Sequence, residues 1–165
     1  MVAGETKKNN PLKTGRFGVG FCATYHLTDL PSFISRKFFT MFDPHTSYLG
    51  DRISAQEPGM RVNLVENQSD LELYHDQFKP YEDLFDCRVF NLPDDGYPGT
   101  LFRFPFRSSL TSKNSKICKT IYDRGKISTL ETSLKDHGGE LILFLKHITK
   151  VSIFELEKDL SLIHI

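Results

Sequence analysis

Apolar and polar positions alternate over short distances in this chain, and the pattern predicts short strands mixed with short helices. An apolar run over residues 17–26 predicts a helix, while residues 32–35 and 38–42 read as two strands. A weaker alternation around residues 62–64 predicts an edge strand. Over residues 71–85 aromatic and leucine side chains recur irregularly, which predicts short helical turns interrupted at a proline.

The second half of the chain opens with residues 91–98, which are dense in turn formers. Residues 99–107 alternate, so they predict a strand with its phenylalanines on one strongly apolar face. Pro105 cannot donate a ladder hydrogen bond, and it therefore belongs at a strand end or on an edge. Arg103 and Arg107 are expected on the polar face of this strand, in contact with solvent.

A polar loop is predicted over residues 108–115, followed by a helix over residues 128–135 whose first four residues match a capping box. The pair Gly138-Gly139 is expected to end that helix, and residues 151–156 are expected to form a closing strand. Strands and helices that do not strictly alternate predict an α+β fold, with helices on one face of a sheet.

Composition narrows the possible functions. The 165 residues suit one domain, and 39% apolar residues with 14 Phe can fill a core. Twenty-one basic residues balance 21 acidic ones, which disfavours nucleic acid as the main partner. The longest apolar stretch is far too short to span a membrane, so no membrane partner is expected. Three well-separated cysteines fit free thiols in a reducing compartment, and a cytoplasmic protein is therefore expected.

One glycine-rich segment carries the main functional signal: Gly15, Arg16, Phe17, Gly18, Val19, Gly20 and Phe21. Its three glycines permit backbone conformations that a Cβ resists, and the loop leads into the N-terminus of a predicted helix, where free amides attract phosphate. The spacing fits neither a Walker loop nor a dinucleotide fingerprint. From spacing alone, a turn that merely caps the helix is about as plausible as a phosphate site.

Residues 15–21 (GRFGVGF) and 99–107 (GTLFRFPFR) together resemble the two ATP-site motifs of the GHKL ATPase superfamily. The closer resemblance is to the sacsin repeat, whose motifs are similar, in the same order, to residues 11–18, 25–31, 42–45, 76–81, 98–105 and 143–146. This resemblance implies a two-layer α/β sandwich of the GHKL ATPase type, here lacking its N-terminal helix and first strand. Residues 1–14 would be a lid-like loop, residues 15–158 a partial ATP-binding domain, and residues 159–165 a tail.

The resemblance also implies which residues contact the nucleotide. Backbone amides of Gly18, Val19, Gly20 and Phe21 would hold the β- and γ-phosphates, with Gly15, Arg16 and Phe17 completing the loop. The hydroxyl of Thr100 would lie near adenine. Lys13 would contact the γ-phosphate or, equally well, remain a solvated lid lysine.

In the family, the Glu that activates water, the Asn that binds Mg²⁺ and the Asp that binds adenine all precede the lid. None of them can be matched here, so no catalytic residue and no metal ligand is assigned, and Mg²⁺ ligands are expected upstream of Met1. Residues 160–165 (LSLIHI) resemble translated adapter read-through. They are expected to be non-native, the alternative being an ordinary apolar C-terminal strand.

The expected function is therefore that of a fragment of a co-chaperone. It would be an ATP-binding, chaperone-type ATPase module in protein folding and quality control, itself unable to hydrolyse ATP. Expected partners are ATP with Mg²⁺ and chaperone machinery or client proteins. The alternative is a non-enzymatic scaffold or interaction module with the same fold and no nucleotide use. Fold membership alone does not decide between them.

Overall fold

The computed structural model describes residues 19–143, 148–156 and 162–164 of the chain. The chain divides into two compact units, Met1–Ile121 and Tyr122–Ile165. The described strands and α-helices of the first unit are β1 (Ser32–Arg36), β2 (Phe38–Phe42), β3 (Gly59–Asn63), β4 (Tyr97–Arg103), α1 (Val19–Cys22), α2 (Gln68–Leu73), α3 (His75–Phe78) and α4 (Ser109–Asn114). Short 3₁₀ helices lie at Ala23–His26, Gly50–Arg52, Lys79–Tyr81 and Val89–Asn91.

An antiparallel sheet in the order β3-β2-β1-β4 organises this unit. The two predicted strands over residues 32–35 and 38–42 are confirmed, and they pair as a hairpin with Ser35 opposite Phe38. The strand predicted around residues 62–64 is also confirmed and lies at the sheet edge. The predicted α+β class is therefore confirmed, and the sheet is four-stranded and antiparallel.

The hairpin between β1 and β2 needs a glycine from elsewhere in the chain. Arg36 occupies the left-handed region (φ 54°), and Gly96 approaches it with φ +80°. A Cβ on Gly96 would lie 2.5 Å from the backbone nitrogen of Lys37. Only glycine tolerates both this backbone conformation and this close approach.

The core lies on one face of the sheet. Ile34 of β1 and Phe39 of β2 pair across the strands and are buried there. Phe78 of α3 packs edge-on against Phe39, with 5.0 Å between ring centroids, and Tyr81 packs against the same ring. This side is called the core face below. As predicted, the helical turns over residues 71–85 are short, although the break falls at Tyr74 and Pro80 lies inside a 3₁₀ helix.

Two predictions for the segment after Asn91 are wrong, the strand over residues 99–107 and the polar loop over residues 108–115. Strand β4 ends at Arg103, so Pro105 lies beyond it, and residues predicted as a polar loop form α4. Ser108 caps this helix by accepting a hydrogen bond from the Thr111 amide in a capping box. The phenylalanine-bearing face of β4 is the more exposed one, because Leu101 packs into the core while Phe102 remains 47% exposed.

The second unit contains α5 (Arg124–Leu143), which is longer than the helix predicted over residues 128–135. The Asp123 carboxylate accepts a hydrogen bond from the Lys126 amide at 2.9 Å, so the helix begins before the predicted capping box. The predicted stop at Gly138-Gly139 is wrong, since both glycines lie inside the helix.

This unit also contains β5 (Phe154–Leu156) and β6 (Leu162–His164), which pair antiparallel with each other. The closing strand predicted over residues 151–156 is therefore present as β5, in a two-stranded ribbon. The prediction that residues 159–165 are a non-native tail stays a prediction.

Candidate functional site

The second face of the sheet carries a row of contacting aromatic rings. Phe33 lies between Phe42 and Phe102, at centroid distances of 6.4 and 5.2 Å. Phe21 of α1 packs edge-on against Phe42 at 5.3 Å, and Phe104 extends the row from Phe102 at 5.9 Å. We call this side of the sheet the aromatic face. Helical segments therefore contact both faces, contrary to the expectation of helices on one face alone.

Thr100 lies on the aromatic face as well. Its hydroxyl is 2.9 Å from the hydroxyl of Ser35, the residue paired with it across β1 and β4. Ser35 also pairs with Phe38 at the start of β2, whereas Phe21 contacts Phe42 at the end of the same strand. Four residues of strand span about 13 Å, so Thr100 and Phe21 mark opposite ends of one surface.

Of the predicted phosphate loop, the described residues are Val19, Gly20 and Phe21, which begin α1. Gly20 is exposed, and a Cβ built on it would meet no atom of the described residues outside its own helix within 4 Å. None of the described residues therefore fills the space beside Gly20 that a phosphate would need. Five further predicted site residues lie outside the described residues, and their roles remain predictions: Lys13, Gly15, Arg16, Phe17 and Gly18.

The helical segment that follows the glycines is anchored at its C-terminal end by a buried arginine. Arg107 is 1% exposed and donates hydrogen bonds to the carbonyl oxygens of Tyr25, of His26 at 2.7 Å and of Thr28 at 3.1 Å. Carbonyls at the C-terminal end of a helix lack hydrogen-bond donors within the helix, and here a cationic side chain donates to them. The expectation that Arg107 is solvated is therefore wrong.

Asp29 balances the charge of this arginine. One of its oxygens accepts hydrogen bonds from Arg107 Nε at 3.0 Å and Nη2 at 2.7 Å, and from Ser115 Oγ at 2.9 Å. Burial alone would raise the pKa of the Asp29 carboxyl, but the hydrogen bonds from Arg107 and Ser115 and the nearby charges outweigh it. The pKa of Asp29 therefore lies below its ordinary value.

His45 joins the same cluster from the turn after β2. Its Nε2 lies 3.6 Å from the Asp29 oxygen and accepts a hydrogen bond from the Lys116 amide at 3.3 Å. Its turn closes with the Thr46 amide donating to the Asp43 carbonyl. His45 thus has a structural role, because it accepts a hydrogen bond from the backbone of a residue 71 positions away in the sequence. This cluster joins the segment before β1 to the segment after β4, and sequence reasoning missed its two central residues, Asp29 and Arg107.

Metal-binding chemistry is sparse in the described part of the chain. Within residues 19–143, 148–156 and 162–164, no group of three or more His, Cys, Asp or Glu side chains could hold a metal ion. The three cysteines are free thiols, and burial raises the pKa of Cys87 to about 11. In the same ranges no helix has the length and apolar character needed to cross a membrane.

These features define an α+β domain in which a glycine-bearing helix and a threonine-bearing strand share one face of an antiparallel sheet. The family model described as "Sacsin domain" matches residues 1–163. Human Sacsin is 34% identical over 158 residues, which cover 96% of this chain. The chain belongs to the Sacsin domain family. It spans 3% of the length of human Sacsin.

Proposed function

We propose that this chain is part of an ATP-binding module of a sacsin-like co-chaperone acting in protein folding and quality control in the cytoplasm. The nucleotide would lie along the aromatic face, its phosphates at the glycine loop and its adenine near Thr100. The observation that carries the proposal is that Phe21 and Thr100 lie at opposite ends of one sheet face. An extended nucleotide requires such a separation between its phosphate and base subsites.

Each group has a defined role in this proposal. Amides of Gly18 to Phe21 would donate hydrogen bonds to the phosphates, and the absence of a side chain at Gly20 would allow the phosphate oxygens to approach the backbone closely. The Thr100 hydroxyl would orient adenine directly or through a water molecule. Arg107 and Asp29 would act as positioning residues that fix the end of the helical segment bearing Gly20.

Mg²⁺, when bound, would neutralise charge on the phosphates and bridge them. We propose that the residues that ligate it lie upstream of Met1, and that residues 1–165 by themselves bind ATP weakly and do not hydrolyse it. Closure of the lid over ATP would change the surface offered to client proteins or to chaperone partners.

The test compares ATP binding by this chain with binding by a longer protein extended upstream of Met1. Calorimetric titration with Mg-ATP is expected to show binding to the longer protein and weak or no binding to the shorter one. Equal, tight binding by both would contradict the proposed upstream ligands. No binding by either would favour a non-enzymatic interaction module with the same fold.

A Gly20→Val variant of the longer protein tests the loop itself. No atom lies within 4 Å of the added Cβ in the structure, so the fold should persist while phosphate approach is blocked. Gly138→Val is the matched control, since Gly138 is equally open but lies in α5. We expect reduced ATP affinity for Gly20→Val alone, with unchanged circular dichroism for both variants. Equal affinity of the two variants would contradict the role of the loop.

A further inference from the structure

A cavity of about 680 Å³ opens on the core face of the sheet, away from Thr100 and the aromatic row. Its wall includes Phe39, Met41, Met60 and Val62, which are core-face residues of β2 and β3. Binding sites for small molecules typically have volumes of about 300–1,000 Å³ and mostly apolar walls with a few polar groups. This cavity has that size and that character.

The charged side chains of the wall are both cationic, and the neutral polar ones are Tyr48, Tyr74 and Gln77. Arg52 and Arg103 both line the cavity, and among the described residues no aspartate or glutamate does. Arg52 donates to the Tyr74 hydroxyl at 2.6 Å and lies over its ring, which leaves most of its donors unused. Arg103 is half-buried and its charge acts on the neutral phenol of Tyr81, but no hydrogen bond or ion pair joins its guanidinium to any described residue.

An arginine held in a partly apolar wall without a carboxylate is poorly compensated. Taking a guanidinium out of water is unfavourable unless an anion and hydrogen-bond acceptors replace that water. A carboxylate matches the guanidinium fork and would form charge-assisted hydrogen bonds with it. The apolar wall around it would accept a hydrocarbon chain or an aryl ring.

We propose that this cavity binds a small apolar carboxylate, with its charged group on Arg103 and its hydrocarbon body against Phe39, Met41 and Met60. The ligand class is that of medium-chain fatty acids and arylalkanoic acids. This second site is separate from the nucleotide site, because the two lie on opposite faces of the sheet.

Titration of the 165-residue chain with decanoate and, separately, with decanol tests the charge requirement on the unmodified protein. Both ligands are unbranched and have ten carbons, and only decanoate carries a charge that can form an ion pair with Arg103. We expect decanoate to bind at least about tenfold more tightly, as charge-assisted pairing in a partly buried site implies. Equal affinities, or no binding of decanoate, would overturn the proposal.

Variants then locate the site. Arg103→Gln should abolish most of the preference for decanoate, whereas Arg61→Gln should keep it. Arg61 is the matched control because it lies in β3 with its guanidinium over Phe38, which places it on the aromatic face. Met60→Trp should weaken the binding of both ligands, because the larger side chain on the edge strand would fill part of the cavity. Circular dichroism establishes that each variant is folded, and a preference lost equally in Arg61→Gln would contradict the assignment.

Discussion

Arg107 donates hydrogen bonds from both Nε and Nη2 to the same oxygen of Asp29, at 3.0 and 2.7 Å. The two residues are 78 positions apart in the sequence, and each is at most 5% exposed. The pair joins the segment after β4 to the turn that follows the glycine-bearing helix. Its geometry couples the two parts of the chain that the proposed nucleotide site requires.

Arg107→Ala should be among the most destabilising substitutions in the chain. It leaves Asp29 as a buried charge without its cation and removes the partners of three backbone carbonyls. Removing one member of a buried ion pair costs about 3–5 kcal/mol. Urea unfolding at neutral pH measures the change, and Arg88→Ala, at an exposed position, is the control. A loss no larger than that of the control would show that the buried pair contributes little.

The lowered pKa of Asp29 makes stability depend on pH in a defined direction. The folded pKa lies below the unfolded value of about 3.9, so the carboxylate stabilises the fold above that value. This contribution is lost as pH falls from about 4 through the folded pKa. The difference in unfolding free energy between wild type and Asp29→Asn should therefore shrink below pH about 4. A difference independent of pH would contradict the assignment; exposed Asp51→Asn serves as control.

Gly96 and Gly50 allow backbone strain to be separated from steric overlap. Both have positive φ, but a Cβ on Gly50 meets nothing within 4 Å, while one on Gly96 would overlap the Arg36–Lys37 backbone. Gly50→Ala should cost about 1–2 kcal/mol, the penalty for a left-handed residue. Gly96→Ala should cost clearly more, because the hairpin must also move. Chemical denaturation of both variants measures the two costs, and equal losses would exclude overlap as the cause.

Replacement of the two glycines inside α5 by alanine should stabilise the helix, in contrast to Gly50→Ala and Gly96→Ala. A Cβ on Gly138 or Gly139 meets no atom within 4 Å, and neither glycine has a positive φ. Each Gly→Ala substitution should favour the helix by about 0.8–1 kcal/mol. Circular dichroism at 222 nm during thermal unfolding measures this gain. A decrease in helicity would mean that close packing at this position requires glycine.

The strands were predictable where local sequence decides the structure. Residues 32–35 and 38–42 carry compact apolar runs that predict both strands locally, whereas the close approach of Gly96 to their turn could not be predicted from those runs. The two ends of α5 were not predictable. The helix begins at the Asp123 cap, before the capping-box motif that the sequence shows. It continues past Gly138-Gly139, because the residues on both sides of these glycines are helical. Intrinsic helix propensity is a weak guide when a helix is long enough to include two residues of low propensity.

The candidate site also contains residues that local sequence indicates and residues that only tertiary contacts reveal. Thr100 and the glycine loop could be proposed from the sequence because their motifs are short and contiguous. Arg107 was assigned to solvent because alternation along a strand cannot reveal that the chain leaves the strand after Arg103. Its partners lie at residues 25–29, which no local pattern connects to it. The cluster of Arg107, Asp29 and His45 therefore emerges only from the tertiary structure.

The central claim is that ATP lies along the aromatic face with its base at Thr100. The most direct test is the dissociation constant of Mg-ATP for Thr100→Val in the upstream-extended protein, compared with Thr129→Val. Thr129 lies in α5, where its hydroxyl donates to the Gly125 carbonyl, and it is no part of the proposed site. Loss of one hydrogen bond, worth about 0.5–1.5 kcal/mol, predicts roughly 2- to 13-fold weaker binding for Thr100→Val and no change for Thr129→Val. Equal affinity for the two folded variants would contradict the proposed site.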